Sequence, residues 1–232
     1  MSLGKISIDV ARGLLTGKTF LGSLPETAVD QLMRTGHIRR FAKGTQMFQR
    51  DDAGDSLFAI LSGCVKISNV TPEAREVVLN FLRAGDINGE IAALDGGART
   101  ATEDTEVFQL YRRDLVPVLT RHPEALLEVV QLLCEKLRAT SEIVEDGIRD
   151  MRGRFASGLL RLARLHGKRT ARGIALDLGV NQRDLGGYLG LSRENTSRQI
   201  NGLVAEGILA NDGGMLMILD EAALTVLSEG LG

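Results

Sequence analysis

Between His37 and about Tyr111 the apolar residues fall in short runs: Phe41, Met47-Phe48, Leu57 to Leu61, Val65 with Ile67, Val77 to Leu79, Phe81, Val107 and Leu110. Runs of that length suit strands rather than helices. The breaks between them are Lys43-Gly44, Asp51 to Asp55, Ser62-Gly63, Thr71-Pro72-Glu73 and Gly85-Asp86. All are turn formers, because Gly reaches positive φ, Pro fixes φ, and Asp and Ser hydrogen-bond the local backbone. Strands at this spacing predict a small antiparallel barrel or sandwich. A short helix from Pro25 to about Met33 precedes them.

From Pro123 the period changes. Leu126, Val130, Leu133, Leu137, Thr140 and Val144 follow one another in steps of four and three, with Glu128, Glu135, Lys136, Arg138 and Glu142 off that line. This is the a/d spacing of a coiled-coil seam, and it predicts a long helix that pairs with a second copy of itself; the alternative is a helix packed on its own barrel. The register decays at Gly147 and Arg149. A helix-interior Gly costs roughly 1 kcal/mol against Ala, so Glu145 to Gly153 is the expected hinge and domain boundary.

Beyond the hinge, Phe155 to Leu165 reads as an amphipathic helix and Leu176 to Leu178 as a short strand. Two short helices follow. Asn181 is the expected N-cap of the first, with Asp184 three residues on, then Leu185, Tyr188 and Leu189, and a turn at Gly190. Ser192 caps the second, Arg193 to Val204, and Gly207 lies just past its end. Two helices joined by a tight Gly-containing turn form a helix-turn-helix. Ile208 to Leu219, broken by Asn211-Asp212-Gly213-Gly214, completes it as a hairpin, the wing of a winged helix.

Composition narrows the class. The chain has 232 residues, 44% of them hydrophobic, enough for one large or two small domains with real cores. No apolar run approaches the roughly 18 residues of a membrane span, and the first twenty residues lack the continuous apolar centre of a signal peptide. A soluble, cytoplasmic protein is expected. The two cysteines, Cys64 and Cys134, have no metal-site or disulfide spacing and are expected to be buried structural thiols. The formal charge of -2 conceals a strong asymmetry: Arg152 to Arg198 holds ten Lys and Arg against three acids, whereas Gln199 onward holds five acids and no cation. A basic segment of this kind suits either a nucleic-acid-contacting face or a solvated helix.

The run from Gly85 to Thr102 is rich in glycine and carries three carboxylates, Asp86, Glu90 and Asp95, and one guanidinium, Arg99. Backbone N–H groups of a Gly-rich turn bind anions. An Arg can neutralise a phosphate, and a carboxylate can accept hydrogen bonds from vicinal hydroxyls. A phosphate joined to a ribose would suit the set, which matches neither the dinucleotide nor the P-loop pattern.

Gly89-Glu90-Ile91-Ala92, the loop Leu94 to Ala98 and Arg99-Thr100-Ala101 resemble the phosphate-binding cassette of cyclic-nucleotide-binding domains, and Gly54 to Gly63 is similar to a strand-turn segment of the same domains. The resemblance implies that Glu90 binds the ribose 2'-hydroxyl and Arg99 the cyclic phosphate, with Thr100 and the backbone near Gly89 and Ile91 on the other phosphate oxygens. Asn88 departs from the bulky apolar residue common there.

Over essentially the whole chain the sequence resembles the Crp/Fnr family of bacterial transcription regulators, close to its cAMP receptor protein branch. That resemblance implies an α+β chain: a jelly-roll, cyclic-nucleotide-binding β-barrel over 1–120, a dimerisation helix and hinge over 121–149, and a winged helix-turn-helix over 150–232. Thr140 and Ser141 match the pair that touches the adenine base in that branch, one residue from each subunit.

Leu191 to Arg198 resembles the family's recognition helix, with Arg193, Glu194 and Arg198 placed for base edges and Ser192, Asn195 and Ser197 beside them. A TGTGA-like palindrome of double-stranded DNA is the implied target, bound by a homodimer that works with RNA polymerase. Asn195 stands where Thr is usual, and Gln182 where a cationic phosphate contact is common. The implied ligand is cAMP or cGMP: Thr140-Ser141 favours cAMP, while Thr100 could meet a guanine amino group. A ligand-independent DNA binder on the same fold and a module acting through protein partners are the rivals. Neither metal, haem nor an iron-sulfur cluster is expected, since two cysteines cannot hold a cluster and His37, His122 and His166 are scattered. No nucleophile, base and orienter assemble into a catalytic site, so no enzyme is expected.

Overall fold

The computed structural model describes residues 8–48, 56–71, 76–89, 98–177, 179–212 and 215–230. The chain divides into two units, 1–69 with 80–136 and 70–79 with 137–232.

Helices α1 (Ile8–Lys18) and α2 (Glu26–Thr35) precede strands β1 (His37–Phe41), β2 (Gln46–Phe48), β3 (Ser56–Ser62), β4 (Cys64–Val70), β5 (Glu76–Arg83), β6 (Ile87–Asn88), β7 (Ala98–Ala101) and β8 (Thr105–Tyr111), all in the first unit except the end of β4 and the first half of β5. These make two four-stranded sheets, in the order β1-β8-β3-β6 and β2-β7-β4-β5. The helix expected from Pro25 is α2, with Pro25 itself at the N-cap. Helix α3 (Arg112–Arg121) follows β8 and leads into α4 (Pro123–Asp146).

Strands β3 and β8 are buried almost without interruption. Period two explains why both faces are apolar. Leu57, Ala59 and Leu61 share a face with Phe108 and Leu110 and pack on Ala11, Leu15, Leu32 and Val118 of the helices. The residues between them, Phe58, Ile60 and Val107, occupy the opposite face and are also buried.

The long helix carries two apolar faces. Ala125, Val129 and Leu132 join the core cluster under the barrel helices. Leu127, Val130, Cys134, Leu137, Ser141, Val144 and Ile148 form an exposed line in steps of three and four, running just past the helix end, with Leu137 68% and Ile148 89% exposed. This differs from the expected seam, which shares only Val130, Leu137 and Val144 with it. Leu133 is half-buried and Cys134 is on the open side. Cys134 is thus exposed, against expectation, while Cys64 is fully buried and its thiol is pushed up to about 11 by burial.

The second unit continues through α5 (Met151–His166), β9 (Lys168–Thr170), β10 (Gly173–Leu176), α6 (Gln182–Leu189), α7 (Arg193–Ala205), β11 (Leu209–Asp212), β12 (Met215–Ile218) and α8 (Glu221–Ser228). Its sheet runs β11-β12-β10-β9, all antiparallel. The helix-turn-helix is α6 and α7. Gly190 closes α6 in the left-handed region at φ 66°, and Leu191 N–H donates to the Gly186 carbonyl at 2.8 Å. Gly186 lets the helices cross: a Cβ there would lie 2.7 Å from Thr196 Oγ1 and 2.8 Å from the Leu191 carbonyl oxygen. The latter is backbone and cannot swing away. Gly186→Val is expected to lower the stability of the second unit by about 3 kcal/mol, as overpacking does at its upper range. Thermal denaturation followed by circular dichroism checks this, and an unchanged transition would contradict the packing argument.

Candidate ligand and DNA-binding sites

The expected phosphate cassette begins in one sheet of the barrel and ends in the other. Strand β6 pairs with β3, placing Asn88 opposite Phe58, and β7 lies between β2 and β4 in the second sheet. The segment joining β6 to β7 therefore connects the two layers. Gly89 enters it at φ 109°, and a Cβ there would lie 2.3 Å from the Ser56 carbonyl oxygen. Only Gly tolerates both the angle and that approach. Glu90 and Ile91 lie outside the described residues. The Arg99 backbone sits in β7 with Phe48 and Ile67 as its Cα partners, and Thr100, half-buried, lies opposite Gln46 and Lys66. Asn88, which departs from the bulky apolar residue common in such domains, is buried at 7% exposure.

Thr140 and Ser141 occupy the C-terminal half of α4, in the second unit, and both are exposed. The Ser141 hydroxyl donates back to the Leu137 carbonyl at 3.1 Å. Ser141 lies on the open apolar line and Thr140 beside it.

At the DNA-reading end, Ser192 caps α7, its hydroxyl accepting from the Asn195 N–H at 3.2 Å. Asn195 thus serves the cap through its backbone, a role indifferent to the side-chain departure noted above. Thr196 and Ile200 are buried and anchor the helix, whereas Arg193, Glu194 and Arg198 are exposed and Ser197 is half-buried. The Glu194 carboxyl is held below its ordinary range by its own backbone N–H and then by the Ser192 hydroxyl. It is therefore ionised at neutral pH, the form that accepts from a cytosine amino group. Gln182, half-buried, opens α6 beside the N-cap Asn181, whose side chain accepts from the N–H groups of Arg183 and Asp184.

Ion pairing redraws the charge asymmetry. Arg152 pairs with Glu206, Arg164 with Glu142, Arg169 with Glu221, Arg172 with Asp212, and Arg161 with Asp146. Half of the ten cations of the basic segment are engaged within the fold, mostly by acids of the C-terminal tail. Among the described residues, the other five, Arg154, Lys168, Arg183, Arg193 and Arg198, have no acidic partner within 4.0 Å. Three of these five, Arg183, Arg193 and Arg198, stand on the helix-turn-helix.

A two-sheet β-domain, a long helix and a winged helix-turn-helix together define the class of a DNA-binding regulator with a second, β-rich domain. Residues 38–122 match the family model described as a cyclic nucleotide-binding domain, and residues 153–227 the one described as a Crp-like helix-turn-helix domain. The chain is 30% identical to the cyclic AMP receptor protein of Thermus thermophilus over 217 residues, 91% of this chain and 97% of that protein. It is 30% identical to a CRP-like cAMP-activated global transcriptional regulator of Mycobacterium tuberculosis over 189 residues, 79% and 84% of the two chains. A CooA variant from Carboxydothermus hydrogenoformans superposes with a TM-score of 0.72 at 25% identity, covering 84% of this chain and 88% of that one.

The chain belongs to the Crp family: it is a cyclic-nucleotide-binding transcription regulator, in a family of regulators rather than enzymes. No described helix is long and apolar enough to cross a membrane.

Proposed function

We propose that this protein is a homodimeric, cAMP-responsive transcription regulator. Its barrel would bind cAMP through Gly89, Glu90, Ile91, Arg99 and Thr100, with Thr140 and Ser141 at the base. Its paired α7 helices would read a TGTGA-like palindrome through Arg193, Glu194 and Arg198, supported by Ser192, Asn195, Ser197 and Gln182. The observation that carries the reading is the presence in one chain of a cassette joining the two barrel sheets and a recognition helix holding unpaired arginines. Preference for cAMP draws on the relatives named for cAMP and on the Thr140-Ser141 pair. The second reading, a cGMP sensor, draws on the half-buried Thr100 hydroxyl. Ligand binding favours the DNA-competent arrangement by differential affinity, setting the recognition helices about one helical turn, 34 Å, apart as two-fold readers require. The regulator acts in the cytoplasm, on double-stranded DNA and with RNA polymerase.

Calorimetric titration of the apo protein with cAMP and with cGMP, each followed by DNA binding, tests this. Heat with cAMP and ligand-enhanced DNA binding are expected. Tighter binding of cGMP would select the second reading, and DNA binding indifferent to either nucleotide would overturn the sensing claim.

The dimer reading rests on the exposed line from Leu127 to Ile148, whose three-four spacing suits a second copy of the same helix. Cys134 lies on that line, so pairing would cover it. Native thiol labelling is expected to be slow at both cysteines, Cys64 because burial raises its pKa to about 11. In a Leu137→Glu chain, monomeric by light scattering, Cys134 is expected to react about tenfold faster while Cys64 stays silent, because thiol reactivity follows access and thiolate fraction. Fast Cys134 labelling in the wild type would contradict this seam.

A further inference from the structure

Asp146 ends α4 and is buried although charged, its side chain 6% exposed. Oδ2 accepts at 2.6 Å from a terminal guanidinium nitrogen of Arg161 in α5, a side chain only 4% exposed. Nε of the same guanidinium donates to the Tyr188 hydroxyl in α6 at 2.7 Å. Its carbon lies 5.1 Å from the Tyr188 ring centroid. A chain of buried polar contacts thus runs from the end of the long helix, across α5, into the first helix of the helix-turn-helix. Burial raises the Tyr188 hydroxyl above its ordinary range, against the opposing pull of Arg161, so it stays protonated. Burial works to lower Arg161, but Tyr188 and Asp146 outweigh it, so the guanidinium stays charged.

A buried ion pair is weak evidence for stability, because desolvation offsets much of its Coulomb gain. What it supplies is direction: a planar guanidinium with one edge on a carboxylate and Nε on a phenol admits few orientations. Neighbouring bonds act on the same segment. Arg154 donates to the Arg149 carbonyl at 3.2 Å, Arg149 to the Ser228 carbonyl in α8, and Arg164 meets Glu142 one turn upstream at 2.5 Å. The Gly147, Ile148 and Arg149 N–H groups are bonded back to Val144, Glu145 and Asp146.

We infer that Asp146, Arg161 and Tyr188 form a lock that stiffens the link Gly147 to Asp150 and makes the last turns of α4 part of the DNA reader. The movable joint of the molecule then lies upstream of Glu142 in α4, not at the helix-breaking Gly147. Asp146, Arg161 and Tyr188 are positioning residues. They touch neither ligand nor DNA and act by fixing the angle at which α6 leaves the long helix. The consequence for gene regulation rests on the proposed function; the lock itself does not.

Hydrogen exchange on the full chain tests the lock directly. In the wild type, Gly147, Ile148 and Arg149 amides are expected to exchange as slowly as those of α5. Asp146→Ala should speed them about tenfold, the scale of a local opening, while wing amides of β11 and β12 keep their rates. Tyr188→Phe should act in the same direction and more weakly. In DNA binding, the ratio of affinities with and without cAMP should fall about fivefold or more in Asp146→Ala, the lower range of allosteric coupling. Unprotected link amides in the wild type would overturn the lock, as would acceleration spread evenly into the wing or an unchanged ratio. If Asp146→Ala does not fold, the wild-type rates and Tyr188→Phe decide. If the chain does not respond to cAMP, the exchange arm still decides, so failure of the sensor reading is told apart from failure of the lock.

Discussion

Replacing Arg193 and Arg198 together by alanine is expected to weaken binding to a TGTGA-type palindrome by about a hundredfold or more, since each bidentate arginine-guanine contact is worth about 1–3 kcal/mol. Both side chains are exposed on a helix whose opposite face is anchored by Thr196 and Ile200, so the substitution leaves the fold intact. Neither loses an acidic partner. The contrast is Arg172→Ala or Arg169→Ala. Each removes one formal charge, half of what the double variant removes, from a side chain that already faces an acid, Asp212 at 3.4 Å for Arg172 and Glu221 at 3.4 Å for Arg169. They are expected to change affinity by less than about threefold, because neither side chain stands on α7, where the base edges are read, and each is engaged with a carboxylate of its own fold. Fluorescence anisotropy on specific and scrambled duplexes checks both. If the double variant bound the palindrome within threefold of the wild type, α7 would not be the base-reading element. If Arg169→Ala fell as far as the double variant, general charge rather than the two arginines of α7 would account for the loss.

What the sequence made legible was what local chemistry determines. Asn181, Gly190 and Ser192 mark the helix ends through bonds spanning two to four residues, and α6 and α7 lie where those residues place them. The barrel was readable as strands and turns, but its pairing was not. His37 meets Gln109 across most of the domain, and nothing local encodes that partner. Helix α1 was not foreseen: Gly13 and Gly17 weaken its propensity, and Ala11 and Leu15 secure it by packing instead. On α4 the expected seam and the exposed apolar line share Val130, Leu137 and Val144 and differ by one position between them, because the helix has two apolar faces and three-four spacing fits either one. The Asp146–Arg161–Tyr188 chain was invisible for a related reason. Its members stand 15 and 27 residues apart, and on paper they are an ordinary helix-end acid, a basic-segment arginine and a core tyrosine.

On the sensor side the largest effect is expected from Arg99→Ala. Strand β7 is held on both edges, by β2 and β4, so its backbone position does not depend on this side chain. The barrel should therefore keep its apo melting temperature. What is lost is the one cation offered to a phosphate by the cassette. Truncating one partner of a desolvated charge pair costs about 2–5 kcal/mol, a fall in cAMP affinity of about thirtyfold to several thousandfold at 1.36 kcal/mol per decade. Ligand at a hundred times its wild-type dissociation constant stabilises the native state by about 2.7 kcal/mol. At that concentration the wild-type melting temperature should rise and that of Arg99→Ala should barely move. Thr100→Ala separates the phosphate role from the base role. If Thr100 serves the phosphate, cAMP and cGMP affinities fall together; if it meets a guanine amino group, cGMP falls further and the ratio moves toward cAMP. Equal heats of cAMP binding in the wild type and Arg99→Ala would show that β7 does not present the phosphate contact, and the sensor reading of the barrel would then fail even with the DNA reader intact.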